Sequence, residues 1–295
     1  MGAAPHGRPQ PRHRQESGLL RPAGGRAAED AGPTAARAGT PGPLPALSAN
    51  GGSDGPSDAV RPTRPGDTTT VEGHSMKIGI IGAGNIGGNL TRRLTALGHD
   101  VSVANSRGPE TLTALAEETG ATPVTAAEAA RDAQIVVVTV PVKRVPDLPS
   151  GLFDHAAEGV AVIDTGNYYP RERDGRIAAI EDGGLTESRW TERQIGHPVI
   201  KAFNGTYAQD IIERARPAGH PDRMAVPVAG DDEAAKKAVR ALIDELGFDT
   251  VDAGGIDDSW RQQPATPVYG LRAGATEVTE ALADASPERT AAFRG

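Results

Sequence analysis

The 295-residue chain contains no cysteine. Disulfides, thiolate metal sites and thiol nucleophiles are thereby excluded, and the chain suits a reducing compartment. Aromatic residues are nearly as scarce. Two Trp, four Tyr and four Phe are too few for the extended stacking platforms of single-strand nucleic-acid binders. No apolar run reaches the roughly 18 residues needed to read as a transmembrane helix, so no membrane association is expected. The net charge of −8 disfavours polyanions as partners, nucleic acid and anionic lipid included. Histidine is sparse and scattered: His6, His13, His74, His99, His155, His197 and His220 share no metal-ligand spacing. No metal site is expected. No strand end supplies a serine, histidine and acid in an order that reads as an activated nucleophile.

Residues 1–75 lack aromatics altogether and carry 11 Pro and 13 Gly without apolar periodicity. Such a segment buries too little surface to offset its ordering entropy and is expected to be disordered. It also lacks the continuous apolar core of a signal peptide. Met76 directly precedes an apolar strand, and residues 71–75 can be encoded with a purine-rich ribosome-binding sequence. Translation is therefore expected to start at Met76. The organisation read from the sequence is a low-complexity segment over 1–75, a nucleotide-binding domain with a substrate crevice over 76–255, and a C-terminal extension over 256–295.

What is present is concentrated after Met76. Lys77–Ile81 reads as a short buried strand, Ile86–Leu97 as a helix, and between them lies Gly82-x-Gly84-x-x-Gly87. A lone glycine motif of this form is weak, but strand–turn–helix is the context its chemistry requires. Gly82 permits the tight turn, Gly84 leaves room for a pyrophosphate beside the backbone, and Gly87 allows the helix to pack on the strand. The helix N-terminus then offers free N–H groups and the positive end of its dipole to the phosphates. His99–Ala104 follows as a second strand. At its end, where an acidic residue commonly bonds the ribose of NAD, stands Asn105-Ser106-Arg107. A hydroxyl and a guanidinium suit a 2′-phosphate, so NADP(H) is expected over NAD(H).

The remaining pattern alternates strand and helix. Ile135–Val140 and Val160–Ile163 are apolar throughout, as in a parallel sheet covered on both faces. Val199–Ala202, Met224–Ala229 and Thr250-Val251 read as further short strands. Tyr168–His197 reads as a polar insertion without periodicity, and Glu277–Ala285 as a helix with little to bury. The expected fold is α/β: a Rossmann-type doubly wound parallel sheet with a small C-terminal α/β extension and a disordered N-terminal segment.

Five stretches in this order carry a resemblance. They are Lys77–Gly87, Asn105–Arg107, Val138–Pro141, Asp164-Thr165-Gly166-Asn167-Tyr168-Tyr169 and Val199–Asn204. Over about residues 76–255 the chain resembles the NADPH-dependent coenzyme F420 reductases, deazaflavin-dependent NADP oxidoreductases. The resemblance implies hydride exchange between NADP(H) and coenzyme F420 as co-substrate, in the cytoplasm, and is compatible with a homodimer. By motif position, Ala83, Gly84, Asn85 and Ile86 lie along the pyrophosphate, and Ser106 and Arg107 on the 2′-phosphate. Val140 and Pro141 line the path between adenosine and nicotinamide. Ala202 lies near the nicotinamide, which Asn204 orients. Lys143, Arg144, Arg171, Arg173 and Arg176 are either a basic lure for an anionic co-substrate or a solvated charged loop, because Glu172 and Asp174 interleave with them. Two other functions remain open: an NADP-dependent reductase of an imine, flavin or ferric acceptor, and a non-catalytic NADP(H) sensor.

Overall fold

The computed structural model describes residues 75–295. The expected segment 1–75 therefore falls, except for Ser75, outside the described residues. Six parallel strands form the main sheet: β1 (Lys77–Ile81), β2 (Asp100–Ala104), β3 (Thr122–Pro123), β4 (Ile135–Val138), β5 (Ala161–Asp164) and β6 (Ile200–Lys201). Their order is β3-β2-β1-β4-β5-β6. This is the doubly wound order expected, and it places a crevice where the order reverses, between β1 and β4.

Alternation decides which layer each strand side chain joins. Ile78, Ile80, Ile135, Val137, Ala161 and Ile163 face one core with Leu90 and Leu94. Ile81, Val136, Val138 and Val162 face the other with Ala129 and Ala130. Both faces are covered, so the strands read as unbroken apolar runs. Gly79 is required by close approach: a β-carbon there would stand 2.1 Å from the Ala129 carbonyl oxygen.

The helices follow local chemistry. α1 (Asn85–Ala96) is followed by Gly98 at φ +90°. Its inner face is formed by Gly87, Gly88, Leu90, Thr91 and Leu94. Leu97, the last residue of the expected helix, is 37% exposed because the helix ends at Ala96. A 3₁₀ turn at Pro109–Leu112 leads into α2 (Thr113–Thr119), closed by Gly120 in the left-handed region. α3 (Ala126–Ala130) opens with a capping box between Thr125 and Glu128.

The stretch from Tyr168 to His197 departs from expectation. It contains a π turn at Pro170–Asp174, α4 (Ala178–Glu181) and α5 (Glu187–Ile195). Its widely spaced apolar residues Tyr168, Ile180 and Trp190 form a separate core with Val142 and Val145. Those two belong to the 3₁₀ turn Val142–Asp147 after β4. The spacing is too wide for a periodic pattern, yet enough side chains converge to bury a small cluster.

Beyond α6 (Ala208–Glu213), the strands β7 (Ala225–Val228) and β8 (Asp249–Asp252) form a two-stranded parallel sheet around α7 (Glu233–Glu245). One antiparallel bridge, Lys201 to Ala229, ties this sheet to β6. α7 is capped by the Asp232 carboxylate, which accepts from the N–H groups of Ala234 and Ala235. α8 (Ala275–Ala283) buries Val278 and Leu282 against β7 and β8, more than the sequence suggests. A 3₁₀ segment at Ile256–Gln262 precedes it.

Candidate functional site

The glycine turn leaves the carboxyl end of β1 with Gly82 at φ +114°. The Gly82 N–H donates to the Ala104 carbonyl (2.8 Å), which closes the turn onto β2. The three glycines have different surroundings. A β-carbon on Gly82 would meet the Thr139 carbonyl oxygen at 2.2 Å, and one on Gly87 the Gly82 carbonyl oxygen at 1.9 Å. At Gly84 the same position has nothing within 4 Å. Gly82 and Gly87 are filled by the protein's own backbone, whereas Gly84 faces open space at the head of α1. Gly84 and Asn85 are exposed, and Ala83 and Ile86 are half-buried. That cradle fits an anionic group held by backbone N–H donors.

At the end of β2, Asn105 shapes the loop. Its Oδ1 accepts from the Arg107 N–H (2.9 Å) and its Nδ2 donates to Thr111 Oγ1 (2.8 Å). Ser106 and Arg107 are both exposed, and the Arg107 guanidinium makes no ion pair among the described residues. Two clefts flank this loop. A larger one of ≈ 750 Å³ is lined by Gly84, Asn85, Asn89, Arg92, Arg107 and Thr111, among others. A smaller one of ≈ 350 Å³ is lined by Gly82, Asn105, Ser106, Val140, Arg144 and Leu148, among others. Ser106 and Arg107 thus look into different clefts. Arg92, not singled out from the sequence, is a second cation in the larger cleft. It forms a bidentate pair with Glu118 (2.7 and 2.8 Å), and the Glu118 carboxyl lies below its ordinary range because of that bond.

Val140 and Pro141 follow β4 on the carboxyl edge. Both are half-buried, and Val140 lines the smaller cleft. Farther along this edge, Phe203 adopts φ +62°, a conformation that costs a bulky residue energy and recurs at functional turns. It turns the chain so that the Asn204 carbonyl accepts from Asn167 Nδ2 (2.8 Å). The Asn204 amide is itself engaged. Nδ2 donates to Asn167 Oδ1 (3.1 Å) and the Gln262 carbonyl (2.6 Å), and Oδ1 accepts from Gln262 Nε2 (3.2 Å). Ala202 is fully buried in the core. Asn167 and Gln262 are therefore residues of this edge that sequence reasoning did not single out individually. Asn167 lies inside a recognised motif, whereas nothing local marks Gln262.

Behind this edge lies a buried ionic group. Lys201, with no exposure, donates to the Gly166 carbonyl (2.8 Å) and lies 3.9 Å from Asp164 and 3.8 Å from Glu187. Glu187 also accepts from the Tyr168 N–H (3.1 Å) and Arg289 (3.0 Å). Burial pushes its carboxyl above the usual value against the pull of Lys201 and Arg289. The arginines after Tyr169 are internally occupied. Arg173 pairs with Asp174 and donates to the Asn167 carbonyl, Arg176 pairs with Asp182, and Arg171 donates to the Arg294 carbonyl. Lys143 donates to the Arg173 carbonyl (2.6 Å), and Arg144 pairs with Asp147 (3.1 Å). No helix among the described residues is long and apolar enough to cross a membrane. Those residues also contain no group of three or more His, Asp or Glu side chains placed to hold a metal ion.

Comparison with known proteins agrees with this arrangement. Residues 77–168 match the family described as NADP oxidoreductase, coenzyme F420-dependent. The protein YjhV of Escherichia coli (strain K12) is 51% identical over 53 residues, which is 18% of this chain and 39% of that protein. The chain thus spans about two fifths of the length of that curated relative. The crystal structure of a hypothetical protein, SMa0349, from Sinorhizobium meliloti superposes with a TM-score of 0.55 at 28% identity, covering 66% of this chain and 94% of that one. A protein of Arthrobacter sp. FB24, provisionally named an F420-dependent NADP reductase, superposes with a TM-score of 0.47 at 23% identity, covering 62% of this chain and 86% of that one. The family match runs from Lys77 through Tyr168, across the glycine turn and the strands β1 to β5.

Proposed function

We propose that this chain transfers a hydride between NADP(H) and the deazaflavin coenzyme F420. The observation that carries the nucleotide half is the contrast at the glycine turn. Gly82 and Gly87 are closed by backbone, while Gly84 opens to solvent at the N-terminus of α1. The N–H groups from Ala83 to Ile86 hold the pyrophosphate there. Ser106 and Arg107, adjacent on the loop between the two clefts, hold the 2′-phosphate from either side, the guanidinium by charge-assisted bonds. Val140 and Pro141 form the apolar wall between the two halves of the dinucleotide. Ala202 backs the nicotinamide end. Asn204 acts there as a positioning residue, because its amide is committed to Asn167 and Gln262.

The family match supports coenzyme F420 as the second substrate. When bound, the nicotinamide and the deazaflavin supply the redox chemistry between them. Proximity and orientation then supply most of the acceleration, which needs no side-chain nucleophile. We place the reaction in the cytoplasm, where NADP(H) is available. Fluorescence titration with NADPH and NADH tests the nucleotide half. Tighter NADPH binding supports the reading, and equal affinity for the two contradicts the assigned 2′-phosphate contact.

A further inference from the structure

Three of the four tyrosines converge on the carboxyl edge of the sheet. Tyr169 follows β5, Tyr207 follows the turn after β6, and Tyr269 comes from the segment before α8. The Tyr169 and Tyr269 hydroxyls are directly hydrogen-bonded to each other, and both side chains are half-buried. Tyr269 packs on Gly205: a β-carbon there would meet Tyr269 Cα at 3.6 Å and Cδ2 at 3.7 Å. The Tyr207 hydroxyl lies over Gly270, 2.9 Å from where its β-carbon would be. Across the same short segment, Asn89 on α1 donates to the Ala208 carbonyl (2.7 Å). Residues 205–208 therefore lie between the first turns of α1 and the phenol pair. On the binding mode proposed above, a dinucleotide seated at Gly84 and running toward β5 and β6 would have its reactive end on the side of that pair.

We infer that Tyr269, held by Tyr169, is the proton donor of the reduction. This rests on the hydride transfer proposed above. In that reaction NADPH loses a hydride and is oxidised to NADP+. The acceptor carbon gains the hydride, its π bond breaks, and the electron pair moves to a ring nitrogen of the acceptor. The Tyr269 O–H bond breaks and its proton goes to that nitrogen. Water returns a proton to the phenolate through the Tyr169 hydroxyl. The balance is acceptor, NADPH and one proton giving reduced acceptor and NADP+. Tyr169 is oriented for this role by Arg173, whose guanidinium carbon lies 5.0 Å from the ring centroid, and by Phe293 at 6.0 Å between centroids. Burial raises the Tyr269 phenol above its ordinary value. It therefore carries its proton at neutral pH.

The test uses the full chain with NADPH and coenzyme F420, comparing wild type, Tyr269→Phe and Tyr169→Phe. Stopped-flow bleaching of the deazaflavin in H₂O and D₂O reads the proton step. Fluorescence quenching of oxidised F420 without NADPH reads the contact apart from turnover. Tyr269→Phe is expected to slow bleaching by about 10²-fold or more, abolish the solvent isotope effect and weaken F420 binding by about 2- to 10-fold. NADPH affinity should stay within about two-fold. Tyr169→Phe should give a smaller loss and retain an isotope effect. Bleaching by Tyr269→Phe at the wild-type rate would overturn the inference. So would a wild-type reaction without a solvent isotope effect, which needs no variant to fold. A wild-type chain inert toward F420 would overturn the proposed function itself, and this step with it.

Discussion

Gly87 and Gly82 stand so close that a β-carbon on Gly87 would lie 1.9 Å from the Gly82 carbonyl oxygen, while Gly84 between them faces open space. The two kinds of glycine should respond differently to one methyl group. Gly87→Ala forces backbone apart and is expected to destabilise the fold by about 3 kcal/mol or more. Gly84→Ala keeps φ at −79°, so its stability should stay within about 1 kcal/mol of wild type. Its NADPH affinity should nevertheless fall at least about ten-fold, because the methyl takes the space of the pyrophosphate. Thermal denaturation and nucleotide titration on the same two variants check the pair.

Arg107 is exposed beside the cradle and pairs with no acid among the described residues. Arg107→Ala should cost about 1–3 kcal/mol of NADPH binding and leave NADH binding nearly unchanged. Calorimetry with both nucleotides measures the difference. Equal weakening of the two would place the guanidinium elsewhere than on the 2′-phosphate.

The fold around the glycine turn was legible because it is local. The strand, turn and first helix occupy consecutive residues, and Asn105-Ser106-Arg107 follows its strand directly. The unbroken apolar run Ile135–Val138 is equally short-range. What escaped depends on distant partners. Gln262 closes the Asn204 amide from 58 positions away in the chain. The core of Tyr168, Ile180 and Trp190 has no period, because it is assembled from a π turn and two short helices. Arg92 reads as an ordinary helix-surface charge until folding sets it beside Glu118 and Arg107 in one cleft.

Asn204 is a further test of that distinction. Its amide satisfies Asn167 and the Gln262 carbonyl, so Asn204→Ala should lower stability by about 1–3 kcal/mol through the buried groups left unpaired. Urea denaturation measures it. A loss of turnover with unchanged stability would instead indicate direct contact with the nicotinamide.

Lys201 offers a pH-dependent prediction. Lys201→Met leaves Glu187 and Asp164 buried without its charge, at an expected cost of about 3–5 kcal/mol near neutral pH. Burial already raises Glu187, and losing Lys201 raises it further. A carboxyl raised in the folded state contributes stability below its ordinary value and loses it as pH rises through the raised one. The penalty should therefore shrink in mild acid and reach its full size above that window. Denaturation of the variant across pH checks the sign.

Hydride exchange between NADPH and coenzyme F420 is tested most directly by mixing the two with the full chain and following the visible absorbance of the oxidised deazaflavin. Bleaching is expected with NADPH, and much more slowly with NADH. No bleaching by a chain that binds NADPH would contradict the proposal and leave an imine, flavin or ferric acceptor, or a sensor without turnover, in its place.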